Sequence, residues 1–179
     1  MEEPIESAGK ITARDAGIRY GVILSCLSIL YFVTAAVTGT NMTEGIGRWG
    51  GLIFTVGVLW FAHKYYKENG DGFMSIGQGV AISFWVSLIS SVISSIFTFV
   101  YVKYIDDGFI QNLKDRQYDQ FLEEGMSDSQ IEQAMSISES FMTPNALLLF
   151  GIFGGIVMGL IIGLVISLFT QRKNPDFTV

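Results

Sequence analysis

Four long apolar runs limit the folds open to this chain more than any other feature. They cover about residues 18–38, 47–62, 76–102 and 145–170. A helix needs about 20 mostly apolar residues to cross the roughly 30 Å hydrocarbon core of a bilayer. The second run is the shortest, with Arg48 at its start and His63 at its end. Because half of the 179 residues are hydrophobic and fall into these blocks, the sequence predicts an all-α integral membrane protein with four transmembrane helices.

Two of the runs carry ridges of small residues at helical spacing. The last run has glycines four residues apart, at Gly151, Gly155, Gly159 and Gly163. The third run has serines at the same spacing, at Ser83, Ser87, Ser91 and Ser95. Residues four apart share one face of a helix, and small side chains let two membrane helices approach closely. We therefore expect the two ridges to face each other and pack helices together, within one chain or between two copies.

Residues 103–144 hold the net charge of the whole chain. Nine acidic residues stand there against three basic ones, a balance of −6 that equals the total. The sequence lacks the basic footprint of a nucleic-acid-binding protein, so no nucleic acid is expected as a partner.

The same acidic segment has the pattern of a helical hairpin. Helical periodicity predicts an amphipathic helix over about 107–124, and Gly125 supplies a left-handed stop. Ser127 followed by Gln130 forms a capping box that starts a second helix, and Pro144 ends it or begins the last span. The apolar face of this hairpin rests on the membrane edge or on the spans or, most simply, the two helices of the hairpin pack against each other. That face is the candidate partner surface, formed by Phe109, Leu113, Phe121, Ile131, Met135 and Met142.

These patterns divide the chain into five parts. They are a polar N-terminal tail at 1–17, three spans with short connections at 18–102, the acidic hairpin at 103–144, the fourth span at 145–171, and a C-terminal tail at 172–179.

The distribution of lysine and arginine predicts the orientation. Seven lie in the tails and the second connection, at Lys10, Arg14, Arg19, Lys64, Lys67, Arg172 and Lys173. Four lie in the first and third connections, at Arg48, Lys103, Lys114 and Arg116. The side richer in positive charge is cytoplasmic. Both termini are therefore expected in the cytoplasm, with the acidic hairpin on the opposite face.

Few residues suggest catalysis. His63 is the only histidine and Cys26 the only cysteine, so no metal-spaced ligand set exists, and no nucleophile has a base beside it. The glycines at 151–155 neither follow a strand nor precede a Lys-Ser/Thr pair, which a phosphate-binding loop requires. None of the four runs has a charged residue at its centre, which disfavours an ion-coupled transporter. We expect no catalytic residue, no metal and no cofactor.

The leading interpretation is a non-enzymatic integral membrane protein that acts as an interaction or accessory subunit of a membrane complex. The alternative is a small oligomeric transporter, channel or lipid-handling protein, with Ser83, Ser87 and Ser91 lining a polar path. An enzyme would need a second subunit to bring acid–base groups. The expected partners are membrane lipids and either a second copy of the chain or another membrane protein.

Two segments resemble a known family. Residues 67–70 and 73–79 resemble a signature of a bacterial family of small four-span membrane proteins, catalogued as the domain of unknown function number forty-one ninety-nine. Residues 124–135 and 141–144 are similar to that family's acidic inter-span region. The resemblance covers about 17–172 and implies four spans in the bacterial inner (cytoplasmic) membrane. It implies no particular activity, substrate or catalytic residue.

Overall fold

The computed structural model describes residues 11–40 and 45–173, and that part of the chain forms six helices and no strand. The helices are α1 (Ala13–Thr38), α2 (Gly45–Glu68), α3 (Ile76–Tyr104), α4 (Phe109–Glu123), α5 (Asp128–Glu139) and α6 (Pro144–Thr170). The predicted all-α class is confirmed. Residues 1–10 of the predicted N-terminal tail and 174–179 of the C-terminal tail lie outside the described residues.

Three helices, α1, α3 and α6, are long and apolar enough to cross a membrane. The mean hydropathy of their most apolar stretches is 2.1, 2.0 and 2.7, respectively. The membrane character predicted from the sequence is supported by these three helices. The sequence predicts a further span in α2, which is not among them.

Helix α3 lies at the centre of the bundle, with α1 along one side and α6 along the other. Gly17 and Gly21 of α1 lie against Trp85 and Ile89 of α3, so these two helices run parallel. Helix α6 runs antiparallel to α3, and α2 packs mainly against α1 and α6. The start of α1, the end of α2, the start of α3 and the end of α6 therefore meet at one end, which we call the termini end.

Local sequence sets where the helices begin and end. Side-chain caps stand at the N-termini of α1, α3 and α6, at Thr12, Ser75 and Thr143, and at the start of α5 the Gln130 side chain accepts from the Ser127 N–H at 2.9 Å. Such side chains satisfy amide groups that the first helical turn leaves free. Gly125, with φ +75°, follows α4 in the left-handed conformation. Because Thr12 and Asp15 form a capping box, α1 begins at Ala13, within the predicted tail and five residues before the predicted span.

The termini end is fastened by backbone contacts. Met74, which is fully buried, exchanges two hydrogen bonds with Arg172, at N···O distances of 3.0 and 2.9 Å. Lys67 Nζ donates to the Thr170 carbonyl at 2.8 Å, which satisfies one of the free carbonyls at the end of α6. The connection between α2 and α3 is thereby joined to the last turn of the bundle.

Helices α4 and α5 contact each other at the opposite end. Lys114 Nζ lies 3.1 Å from Glu139 Oε1, and Gln117 Nε2 donates to Ser138 Oγ at 3.2 Å. The ring of Phe109 lies against Phe32 of α1, with ring centroids 5.7 Å apart. We call residues 109–139 the α4–α5 segment and this side of the bundle the α4–α5 end.

Candidate functional site

Each glycine of the α6 ridge lies opposite one serine of α3 in the same chain. The pairs are Gly151 with Ser95, Gly155 with Ser91, Gly159 with Ser87, and Gly163 with Ser83. A Cβ added at Gly155 would lie 2.7 Å from the Cβ of Ser91, and one at Gly159 would overlap the hydroxyl of Ser87. One turn further the roles reverse, because Gly79 of α3 faces Ser167 of α6. The two backbones are therefore as close as glycine permits.

This interface is closed at the termini end and opens toward the α4–α5 end. Gly159 and Gly163 are buried, Gly155 is half-buried and Gly151 is exposed. A cavity of about 230 Å³ lies between α1, α2, α3 and α6 along the more open half. Five serines of α3 line it, at Ser87, Ser90, Ser91, Ser94 and Ser95. Ser28 of α1 and Thr55 of α2 add two more hydroxyl-bearing side chains, and Leu24, Met158 and Ile162 supply apolar wall.

Two hydroxyl oxygens along this serine-lined cavity are buried and have no partner among the described residues. Ser87 is 4% exposed, and its Oγ has no hydrogen-bond partner within the described part of the chain. The buried Oγ of Ser94 likewise has none among those residues. A buried hydroxyl without a partner costs about 1–3 kcal/mol. The cavity therefore lies beside two buried hydroxyls whose hydrogen-bonding capacity the described residues do not satisfy.

A buried histidine lies beyond the closed end of the cavity. His63 of α2 is 0% exposed, with Nδ1 2.8 Å from Thr170 Oγ1 and Nε2 3.0 Å from the Gly79 carbonyl. Because a carbonyl only accepts, Nε2 carries a proton and donates to it. The Thr170 hydroxyl, which has one proton, lies within hydrogen-bond distance of both Nδ1 and the Ile166 carbonyl, the latter at 2.9 Å. Nε2 also lies 3.2 Å from Ser83 Oγ. His63 thus joins α2, α3 and α6, and we call His63, Gly79, Ser83 and Thr170 the His63 cluster.

The serine ridge is divided between the cavity and this cluster. Ser83 donates to the Gly79 carbonyl at 2.9 Å, is fully buried and does not line the cavity. Ser87 and Ser91 do line it. The polar path expected along Ser83, Ser87 and Ser91 is therefore interrupted between Ser87 and Ser83.

Sequence reasoning missed the role of His63 and a second set of close-packed glycines. It assigned His63 to a basic helix end at the interface, whereas the side chain points into the bundle in phase with buried Leu59. No local pattern identifies its partners, which come from α3 and α6. Gly21 of α1 is a clearer omission: a Cβ there would lie 2.7 Å from the Cβ of Ile89. The four-residue spacing of Gly17, Gly21 and Ser25 was the available signal.

The predicted partner surface is partly taken up by internal packing. Ile131 is 1% exposed, and Phe109 lies against Phe32 and Tyr101. The other four members, Leu113, Phe121, Met135 and Met142, are half-buried. A groove of about 460 Å³ remains beside them, with Ile131 and Met135 in its wall and Asp128, Glu132 and Glu139 among its polar groups. Large apolar side chains that are exposed on or beside the segment include Tyr118, Leu122, Ile137 and Phe141.

Among residues 11–40 and 45–173, no three His, Cys, Asp or Glu side chains lie close enough to hold a metal ion together. Cys26, the single cysteine, is exposed on α1.

Comparison with known proteins identifies a family. No curated protein and no solved structure matched the chain. The family model described as "Protein of unknown function (DUF4199)" matches residues 19–172, which include five of the six helices completely and most of α1. This confirms the resemblance found in the sequence. The chain belongs to the DUF4199 family of proteins of unknown function.

Proposed function

We propose that the chain is a four-span protein of the bacterial inner membrane and serves as a non-enzymatic interaction or accessory subunit of a membrane complex. The observation that carries the subunit role is the acidic groove on the α4–α5 segment, whose carboxylates surround an apolar wall and whose neighbours include exposed aromatic side chains. The four-span topology and the orientation are supported separately.

The packing of α2 supports its assignment as a transmembrane span in addition to α1, α3 and α6. It lies antiparallel along α1: the Tyr31 hydroxyl donates to the Gly47 carbonyl near one end, and the rings of Tyr20 and Tyr65 lie 5.5 Å apart near the other. Its 24 residues extend about 36 Å at about 1.5 Å per residue, which is enough for a bilayer core. A helix aligned in this way with a membrane-length neighbour lies at the same depth.

The basic side chains at the termini end support a cytoplasmic location for both termini. The Arg14 guanidinium lies 5.4 Å from the centre of the Trp85 ring, and Arg19 donates to the Tyr65 hydroxyl at 2.9 Å. Arginine with aromatic rings is typical of a membrane interface, and the excess of positive charge marks its cytoplasmic side. The α4–α5 segment then lies on the opposite side.

Two reporters, one on each side of α6, test the orientation. A fluorescent protein fused after Arg172 should be bright, because it folds in the cytoplasm, and alkaline phosphatase inserted near Gly125 should be active outside it. An active phosphatase after Arg172 combined with bright fluorescence near Gly125 would show that the orientation is the reverse of the one proposed. Reporters that placed both positions on one side would remove the four-span arrangement.

The groove on the α4–α5 segment fits a basic amphipathic segment of another membrane protein. Asp128 and Glu132 provide negative charge beside Ile131 and Met135, while Glu139 is already paired with Lys114. Complementary charge gives specificity and rapid association, and an apolar helix face packs into an apolar groove. The remaining acidic residues of the segment strengthen the same field.

Affinity purification from the native membrane tests the subunit role. We expect a stoichiometric partner with a basic segment, lost when Glu132→Lys reverses one charge of the groove. The matched control is Glu123→Lys, an equal charge change on the exposed end of α4 that leaves the groove lining unaltered. A partner retained by both variants, or lost equally from both, would contradict docking at the groove.

The serine-lined cavity favours a second function, a small transporter or lipid-handling protein. Because Ser87 and Ser91 face glycines, leucine at either position would disturb packing as well as the cavity. Ser94→Leu is the better test, since Ser94 lines the cavity and none of the close glycine contacts involves it. Loss of solute-driven swelling in proteoliposomes, with the bundle intact, would support transport. Equal swelling with and without the wild-type protein would exclude it for the solutes used.

A further inference from the structure

We infer that the side of α5 that carries Ile137, together with Phe141 in the turn that follows, lies against the lipid bilayer at the α4–α5 end. This contact goes beyond the subunit role, and it is expected for either orientation of the chain in the membrane. The partner is the headgroup region of the bilayer, and the evidence is exposure, charge and continuity with the lipid-facing surface of α6.

Helix α5 has an acidic side and an uncharged side. The acidic side lines the groove with carboxylates, at Asp128, Glu132 and Glu139. The uncharged side has residues four apart along the chain, at Ser129, Gln133, Ile137 and Phe141. Residues four apart share one face of a helix. Ile137 is 63% exposed and Phe141 is 51% exposed, so two large apolar side chains project from a face that carries no charge.

The ring of Phe141 joins this face to the outer surface of α6. Its centroid lies 5.4 Å from that of Phe150, with the two ring planes at 69°. Phe150 is 56% exposed, and its neighbours Leu149 and Phe153 are 55% and 65% exposed. These residues belong to the helix with the highest mean hydropathy, 2.7, and an exposed apolar surface on a membrane-length helix faces lipid. Phe141 therefore extends a surface that lipid already covers.

A second group of aromatic side chains marks the membrane surface at the same end. Tyr104 and Ile105, at the end of α3, are 70% and 65% exposed. Lys103 Nζ lies 5.4 Å from the centre of the Tyr104 ring and 5.2 Å from that of Phe99. Aromatic rings beside a lysine are typical of the boundary between lipid and water. The end of α3 therefore lies at the headgroup level.

The register of α3 and α6 places Phe141 at a similar height. Ser95 of α3 faces Gly151 of the antiparallel α6. Tyr104 follows Ser95 by nine residues, and Phe141 precedes Gly151 by ten. The uncharged side of α5 thus begins at the headgroup level marked by Tyr104. Because carboxylates are costly to bury in an apolar medium, α5 lies with Ile137 toward lipid and with the acidic groove toward water.

Spin labels on opposite sides of α5 test the contact. A nitroxide is attached to Ile137→Cys in the full chain, in a Cys26→Ser background and in phosphatidylcholine liposomes. Its relaxation by oxygen, which concentrates in lipid, is compared with its relaxation by a water-soluble nickel chelate. The matched control is Glu132→Cys, on the groove side of the same helix. We expect the ratio of oxygen to nickel accessibility to be at least about threefold higher at position 137 than at position 132.

A label at Gln133→Cys repeats the measurement on the uncharged side while Ile137 and Phe141 stay in place. Its ratio should also exceed that at position 132. Equal ratios at positions 137 and 132, or a higher ratio at 132, would overturn the inference. Protection of position 137 from both reagents would overturn it too, because it would show that protein covers this face, either the same chain or a second copy. None of these outcomes depends on whether a partner occupies the groove.

Discussion

The two halves of the α3–α6 interface are built from the same glycine–serine pairs, yet one half is sealed and the other is open. At the termini end, Ser83 faces Gly163 and its hydroxyl is satisfied within the His63 cluster. One turn away, Ser87 faces Gly159 and its hydroxyl is buried without a partner among the described residues. Close backbone approach is common to both positions.

The difference arises from what α2 contributes to each half. At the termini end, His63 and Lys67 reach across to Thr170, so α2 closes against α6. In the open half, α2 contributes Thr55, whose hydroxyl already donates to the Gly51 carbonyl at 2.8 Å. Small-residue ridges therefore bring two helices together, while a side chain from a third helix determines whether the space beside them is filled.

The largest expected effect follows from breaking the close approach itself. Gly159→Leu should abolish the folded bundle, because even a Cβ at this position overlaps the Ser87 hydroxyl and a leucine needs more space still. Gly154→Leu is the matched control, since a Cβ there meets nothing within 4 Å. Size-exclusion profiles and thermal unfolding in detergent measure both. Similar behaviour of the two variants would show that the fold does not depend on the close approach of α3 and α6 at Gly159.

Removal of the histidine should have the next largest effect. His63→Ala should reduce the free energy of unfolding by about 2–4 kcal/mol, because it leaves a cavity between three helices and removes their shared hydrogen bonds. The control is Lys64→Ala, one residue away, whose ion pair with Glu68 at 3.7 Å is exposed and worth less than about 1 kcal/mol. Equal losses for the two variants, measured by denaturant titration, would show that His63 does not seal the bundle.

The smallest effect gives the sharpest contrast between the two halves. Ser83→Ala should destabilise the protein by about 1 kcal/mol, because it removes a satisfied hydroxyl beside His63. Ser87→Ala should be neutral or slightly stabilising, because it removes a buried hydroxyl that the chain leaves unpaired. Unfolding midpoints of the two variants, compared with the wild type, give the sign of each change. A greater loss of stability from Ser87→Ala than from Ser83→Ala would contradict the assignment of Ser83 as the satisfied hydroxyl and Ser87 as the unpaired one.

Much of this architecture could be predicted from local pattern. Runs of apolar residues predict long helices. The four-residue spacing of the glycines around Gly155, and of the serines around Ser91, predicts which helix faces carry small residues. Gly125 and the capping residue Ser127 stand where the chain turns between α4 and α5. These features depend on backbone conformation and helical periodicity, which are properties of short stretches of sequence.

The site itself depended on contacts between distant residues. His63 looks like one more cation in a basic helix end, and only the arrangement of three helices brings Gly79 and Thr170 to its ring. The cavity likewise could not be predicted, because the serines of the ridge are evenly spaced in both halves of the interface. The start of α1 was missed for a different reason, because the Thr12–Asp15 capping box precedes the apolar run.

A cysteine-accessibility scan tests the central claim most directly. That claim is that the serine ridge is open on the α4–α5 side of Ser87 and sealed on the side of the termini end. Single cysteines replace Ser83, Ser87, Ser91 and Ser95 in a Cys26→Ser background, and a small water-soluble thiol reagent is applied to the folded protein. The account predicts reaction at positions 91 and 95, with reaction at positions 83 and 87 at least about tenfold slower. Reaction at position 83 or 87 as fast as at 91 and 95, or protection of all four, would contradict it.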